Sequence, residues 1–154
     1  MTRFHTLVAT FLFIGRLSPF PGTLASFISM GLFFIVFSQL QEFWMVQLII
    51  VLCICFVGVV SSKEYSKYKN EHDPSDCVID EVAGMGIALL FLPSSLLCYI
   101  ISFILFRILD IFKPSFIYHV QALGNGWGIM LDDMVAGVIS LIIVYGMNPS
   151  GAIY

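Results

Sequence analysis

Charged side chains are scarce in this chain. Asp, Glu, Lys and Arg make up 11% of the 154 residues, whereas apolar residues make up 59%. Ordinary soluble domains carry about a quarter of their residues as charges, and a small soluble domain leaves a large share of its surface in water. A soluble fold of this size could not hide so much apolar surface, but lipid would cover it. The composition therefore predicts a single membrane-embedded domain over residues 1–154.

The chain also has no basic block, no disulfide framework and no zinc-binding pattern. The net charge is −3, and without a cluster of Lys and Arg we expect no nucleic-acid partner. The four cysteines are Cys53, Cys55, Cys77 and Cys98. None of their spacings matches a zinc site, and the three histidines share no metal-ligand spacing either. We expect the cysteines to act as small apolar side chains.

Long apolar runs fill most of the sequence. Most are close to the roughly 20 residues that cross a bilayer as a helix, and a break at Pro93 separates two of them. The predicted helices are 24–40, 43–60, 77–92, 95–113 and 129–147. The polar stretches 61–76 and 114–128 are expected to be loops in water, and 4–15 a short re-entrant or interfacial helix. The predicted fold class is an all-α integral membrane helical bundle with about four transmembrane helices.

The basic residues predict the orientation of this bundle. Lys63, Lys67 and Lys69 fall in one predicted loop, and Arg107 and Lys113 lie at the end of the fourth apolar segment. The short turns on the other side carry neither Lys nor Arg. Because cytoplasmic segments are enriched in these residues, we expect both polar loops to face the cytoplasm.

Acidic residues gather at the same predicted depth. Asp80 and Glu81 open one predicted helix, and Asp132 and Asp133 open the last one. Carboxylates placed together near hydrocarbon repel each other unless a cation lies among them. Oxygen-rich sites select hard cations such as Mg²⁺, Mn²⁺ or Ca²⁺. We favour a metal site held by the two acidic pairs over the alternative, in which salt bridges merely anchor helix ends.

Helical spacing supports convergence at that depth. Arg107, Asp110 and Lys113 recur every three residues, so on a helix they share a face about 120° wide. Gly84 and Gly137 each lie four residues after a carboxylate, and small residues let helices approach closely in lipid. Glycine is also common in membrane helices generally, so this second observation alone decides little.

The segment Pro21-Gly22-Thr23 precedes the first predicted spanning helix. Thr23 or Ser26 can cap that helix, whose free amides and positive dipole end favour an anion. Residues 18–23 are therefore a candidate phosphate cradle, with capping alone as the alternative.

Four motifs carry a resemblance to a known family. They are SPFPGTLAS (18–26), VIDEVAGM (78–85), FRILDIFKP (106–114) and GWGIMLDDMVAG (126–137). In order and spacing they resemble the phosphatidylglycerophosphatase A family, and the similarity covers nearly the whole chain. One departure is Asn125, where the family usually has glycine. Because Asn tolerates left-handed backbone geometry, we expect little change from it.

The resemblance implies a reaction, a cofactor and a location. The enzyme would remove the terminal phosphate from phosphatidylglycerophosphate in a bacterial cytoplasmic membrane, giving phosphatidylglycerol and inorganic phosphate, with Mg²⁺ required. No obligate protein partner is expected. The family's acidic and basic positions map onto Asp80, Glu81, Asp110, Asp132, Asp133, Arg107 and Lys113.

Phosphoryl transfer depends mainly on charge neutralisation and an in-line nucleophile. In our hypothesis the two acidic pairs hold one or two Mg²⁺, and Asp110 is a further ligand or orients Arg107. Arg107 and Lys113 clamp phosphate oxygens, and residues 18–23 add backbone amides. A water held by the metal is the favoured nucleophile, with an aspartate as the alternative. The rival functions are a small cation transporter or channel using the same carboxylates, and a structural subunit.

Overall fold

The computed structural model describes residues 3–112 and 126–147, which are helical or irregular and contain no strand. Within these ranges the α-helices are α1 Arg3–Ala9, α2 Pro21–Gln39, α3 Trp44–Lys69, α4 Ile79–Ala88, α5 Leu96–Phe112 and α6 Trp127–Met147, and a 3₁₀ turn covers Ile14–Arg16. The predicted all-α class is confirmed.

Three of these helices, α2, α3 and α6, are long and apolar enough to cross a bilayer. Helix α5 has 17 residues. Helix α4 has only 10 residues, so at about 15 Å it covers roughly half of a hydrocarbon core about 30 Å thick. The described part of the chain is that of a membrane protein, and the number of about four spanning helices stays a prediction.

Helices α2 and α3 correspond to the predicted spanning helices 24–40 and 43–60, but the second helix is longer than expected. Helix α3 continues to Lys69 and is capped by Asn70, whose left-handed backbone (φ 55°) is typical of a helix C-terminus. The prediction of a loop over 61–76 is therefore wrong for 61–69. The physical reason is amphipathicity: Tyr65 is completely buried in this polar stretch, and packing of that face keeps the helix intact.

The N-terminal helix is shorter than the predicted 4–15. Helix α1 ends at Ala9, and Phe11, Leu12 and Phe13 then adopt positive φ values of 43°, 56° and 68°, which end the helical path. The Ala9 carbonyl accepts a hydrogen bond of 2.8 Å from the Val78 amide. This contact fixes the N-terminal segment against the start of α4, and a re-entrant or interfacial position in the membrane stays a prediction.

Helix α4 lies at the centre of the bundle. It packs against α2, α3, α5 and α6, and all of its residues except Glu81 are buried. A Cβ on Gly137 would overlap the Gly84 carbonyl, and a Cβ on Gly84 would lie 2.6 Å from the Asp133 carbonyl oxygen. The close approach of helices at these two glycines is thus confirmed, and it brings α6 with Asp133 against α4.

Candidate active site

Three acidic side chains from two helices meet at one end of the bundle. Asp80 and Glu81 lie in the first turn of α4, and Asp133 projects from the facing side of α6. One carboxylate oxygen from each lies within 4.8 Å of the others. The structure therefore brings together three of the four predicted metal ligands.

Asp132 lies beside this cluster but is not one of the three. It is buried, and its Oδ1 accepts a 3.1 Å hydrogen bond from the Asp133 amide. The face of α6 that packs against α4 is that of Asp133, whose carbonyl oxygen lies close to Gly84. Asp132 lies about 100° around the helix from it. A direct metal contact by Asp132 stays a prediction.

The carboxylate cluster retains unused hydrogen-bonding capacity. Asp80 Oδ1, Glu81 Oε2 and Asp133 Oδ2 are buried and have no hydrogen-bond partner among the described residues. None of these three residues forms an ion pair in that part of the chain. A buried carboxylate oxygen that accepts no hydrogen bond costs folding free energy. Several carboxylate oxygens in one place are the ligands that a hard divalent cation prefers. These three carboxylates therefore fit a cation-binding site better than they fit the alternative, in which salt bridges anchor the helix ends.

Arg107 borders the cluster and is held by three side chains. Its Nη1 donates to Asp110 Oδ2 and, at 3.4 Å, to Ser26 Oγ, while Nη2 donates to Thr23 Oγ1 at 3.2 Å. The predicted pairing of Arg107 with Asp110 is thus present, and the guanidinium links α5 to α2. Lys113, the other predicted phosphate-binding base, lies outside the described residues.

The first turn of α2 reaches the same place. A Cβ on Gly22 would overlap Glu81 Oε1 and would lie 3.4 Å from Arg107 Nη1, so only glycine lets the α2 backbone approach both groups. Capping by Thr23 or Ser26 was the wrong expectation. Helix α2 begins at Pro21 with Phe20 as its N-cap and no side-chain cap, so Thr23 and Ser26 lie inside the helix. The Thr23 hydroxyl instead accepts from Arg107, and the Ser26 hydroxyl donates to the Gly22 carbonyl at 2.8 Å.

A second polar cluster, which the sequence did not reveal, joins three segments next to the site. Asp76 Oδ2 accepts from Tyr65 Oη at 2.5 Å and from Arg16 Nε at 3.1 Å, and it pairs with Lys69 Nζ at 3.3 Å. Burial raises the pKa of Asp76, but the hydrogen bonds from Tyr65, Lys69 and Arg16 outweigh it and hold the pKa below its usual value. The cluster ties the 3₁₀ turn and the end of α3 to the segment leading into Asp80.

We expect Asp76→Asn to lower the thermal unfolding temperature at neutral pH. Because the folded-state pKa is depressed, the stabilisation is present above the unfolded pKa of about 3.9 and is lost as the pH falls through the folded pKa. The difference in unfolding temperature between wild type and variant should therefore become smaller below about pH 4. Thermal unfolding in detergent micelles would measure this difference. Glu64→Gln, which removes an exposed ion pair with Lys67, is the matched control with little expected effect. A gap unchanged by acid would contradict this account.

Comparison with known proteins relates this geometry to a family. The profile described as Phosphatidylglycerophosphatase A matches residues 7–148. Phosphatidylglycerophosphatase A of Escherichia coli is 36% identical over 132 residues, which are 84% of this chain and 75% of that protein. The Haemophilus influenzae protein of the same name is 33% identical over 138 residues, 87% of this chain and 82% of the relative.

A third relative has a different description. A protein of Bacteroides thetaiotaomicron named "Putative phosphatidylinositol-3-phosphatase" is 38% identical over 136 residues, 82% of this chain and 83% of the relative. No solved structure matches the chain. The family profile spans nearly all the described helices and all three clustered carboxylates, so this chain belongs to the phosphatidylglycerophosphatase A family and is a phosphatase.

Proposed function

We propose that the protein is a Mg²⁺-dependent lipid phosphatase that converts phosphatidylglycerophosphate into phosphatidylglycerol and inorganic phosphate. The observation that carries the proposal is the cluster of Asp80, Glu81 and Asp133 beside the guanidinium of Arg107. One buried oxygen of each carboxylate has no hydrogen-bond partner in the described chain. The names of the Escherichia coli and Haemophilus influenzae relatives support this substrate. Membership of a phosphatase family does not favour the transporter or channel alternative.

The residues divide into a cation-binding set and a phosphate-binding set. Asp80, Glu81 and Asp133 would hold Mg²⁺, with Asp132 as the adjacent further candidate. When bound, Mg²⁺ supplies positive charge that neutralises the phosphate and polarises its oxygens. Arg107, oriented by Asp110, binds phosphate oxygens through its planar fork of donors, and Lys113 is proposed to assist it.

The N-terminus of α2 completes the phosphate-binding set. The first amides of a helix have no intrahelical acceptor, and the dipole makes this end positive. Gly22 and Thr23 lie in that turn, while Pro21 has no N–H and starts the helix. The backbone amides of Gly22 and Thr23 therefore favour an anion next to Glu81 and Arg107, as the proposed phosphate cradle requires.

Hydrolysis forms a bond from a water oxygen to phosphorus and breaks the bond between phosphorus and the glycerol oxygen, which takes up a proton. Arg107 stabilises the charge that spreads over the phosphoryl oxygens. Attack by one of the aspartates is the alternative, and it predicts a trappable phosphoenzyme. We favour water because the three clustered carboxylates are assigned to the cation.

The proposed location is the cytoplasmic side of a bacterial inner membrane. Lys63, Lys67 and Lys69 lie in the last turns of α3, at the end of the bundle that holds Arg107 and the carboxylates. This concentration of Lys and Arg at one end is typical of cytoplasmic segments. The phosphate would thus be removed at the inner leaflet.

Phosphate release by the purified protein in mixed micelles tests the proposal. We expect release from phosphatidylglycerophosphate with Mg²⁺, loss of release with a chelator, and recovery when Mg²⁺ is returned. Phosphatidic acid and phosphatidylinositol 3-phosphate are the comparison substrates, the second because of the Bacteroides relative. Release unaffected by chelation would contradict the cofactor, and a clear preference for phosphatidylinositol 3-phosphate would contradict the substrate.

A further inference from the structure

An apolar groove runs between α3 and α6. Its volume is about 770 Å³, and its lining includes Leu52, Phe56 and Val60 on α3 with Trp127 and Met134 on α6. The groove ends at Lys63 and Glu64, which also line it. An open apolar groove in a membrane protein is a surface that lipid covers, and its dimensions indicate which part of a lipid fits.

The length of the groove matches one leaflet of a bilayer. From Leu52 to Lys63 the axis of α3 rises about 16 Å, which is close to half of a hydrocarbon core about 30 Å thick. The polar end with Lys63 and Trp127 corresponds to the membrane surface, where Lys and Trp are commonly found. The groove therefore suits one acyl chain that descends from the surface to the bilayer centre.

A polar pocket adjoins the groove at Lys63. Its volume is about 90 Å³, and its lining includes Lys63, Ser66, Lys67, His72 and Gly126. A Cβ on Gly126, at φ 84°, would lie 2.6 Å from the Val59 carbonyl oxygen and 2.8 Å from Lys63 Cβ, so the backbone at the start of α6 lies against the stem of Lys63. A small pocket lined by cationic side chains is suited to a phosphate.

The two lysines of this pocket differ in their partners. Lys67 pairs with Glu64 at 3.3 Å, whereas Lys63 forms no ion pair within residues 3–112 and 126–147. The pocket also lies close to the carboxylates. Gly128 and Ile129 line it, and each is four residues before Asp132 and Asp133, which is about 6 Å along α6.

We propose that the groove and the polar pocket bind the lipid substrate, with one acyl chain in the groove and the phosphodiester at Lys63. The terminal phosphate, one glycerol unit further along the head group, then reaches the carboxylate cluster and Arg107. This assignment rests on the proposed function, because only a lipid with two phosphates in its head group places one phosphate at Lys63 and the other at the carboxylate cluster.

Steady-state kinetics with three substrates tests the assignment. Phosphatidylglycerophosphate has chains and both phosphates, its deacylated form has both phosphates only, and glycerol 3-phosphate has a single phosphomonoester. We expect Lys63→Met to raise KM about tenfold for the first two substrates, the order expected for a lost hydrogen bond to a charged group. Its kcat should change little, and glycerol 3-phosphate should be unaffected. Lys63→Arg should restore KM, and Arg3→Met, which removes an exposed cation outside the pocket, is the matched control.

The groove is tested by adding bulk to it. Val60→Trp should raise KM for phosphatidylglycerophosphate alone, whereas Ile49→Trp, on the same helix and outside the groove, should not. If Lys63→Met behaves like Arg3→Met, and Val60→Trp like Ile49→Trp, while wild type releases phosphate normally, the groove assignment is overturned and the phosphatase stands. If wild type releases no phosphate from any of the three substrates, the proposed function fails, and the assignment of the groove to its substrate fails with it.

Discussion

Asp80→Asn and Asp133→Asn are each expected to abolish phosphate release while the protein still inserts and folds. Each change removes one charge and one of the oxygens proposed to bind the cation, in a cluster whose ligand atoms lie within 4.8 Å of one another. Loss of an outer partner of a metal ligand already costs roughly 10–100-fold in affinity or activity, so loss of the ligand itself should cost more. The replacement has nearly the same shape, and it reduces repulsion between the acidic groups, so we expect the unfolding temperature to stay the same or rise.

Two measurements separate this expectation from a general loss of the fold. The first is kcat for phosphatidylglycerophosphate, and the second is binding of Mn²⁺ as a paramagnetic substitute for Mg²⁺. Both should fall in the two variants, whereas Glu42→Gln, which removes an exposed carboxylate from the turn between α2 and α3, should leave both near wild type. Near-normal turnover in either Asn variant would remove that residue from the proposed cation-binding set.

The carboxylate cluster was predictable because charge is so rare in this chain. In an apolar sequence each ionisable residue stands out, and its depth follows from counting residues along the predicted helices. Depth alone does not give the direction in which a side chain points. The choice between Asp132 and Asp133 depends on the contact of Gly137 with the Gly84 backbone, which is a property of the packed pair of helices.

Other features depend on contacts between residues far apart in the sequence. The Asp76 cluster forms only because Arg16, Tyr65 and Lys69 converge on one carboxylate. No spacing in the sequence predicts this convergence. The polar residues at the end of α3 predict a loop, although Lys and Glu are good helix formers and Tyr65 is buried. Polarity is evidence of exposure on average, and it does not distinguish a loop from an amphipathic helix end.

Arg107→Lys is expected to lower kcat for phosphatidylglycerophosphate by about 10²-fold or more, the order found when one preorganised donor is lost from a reacting site. Lysine keeps the positive charge beside Asp110, whose side chain is only 11% exposed, so the ion pair between them survives. Lysine lacks the planar fork that holds a phosphate through two parallel hydrogen bonds. The loss should therefore appear in kcat more than in the unfolding temperature.

Arg16→Lys is the matched control, because Arg16 also pairs with an aspartate, Asp76, at 3.1 Å, but lies outside the carboxylate cluster. It should leave kcat near wild type. Arg107→Ala should be slower still, by about 10³-fold, as for other arginines that act on a transferring phosphoryl group, and added guanidinium should restore part of the rate. A Lys variant with wild-type kcat would show that Arg107 only joins α5 to α2 through Thr23 and Ser26, and the phosphate would then need another cation.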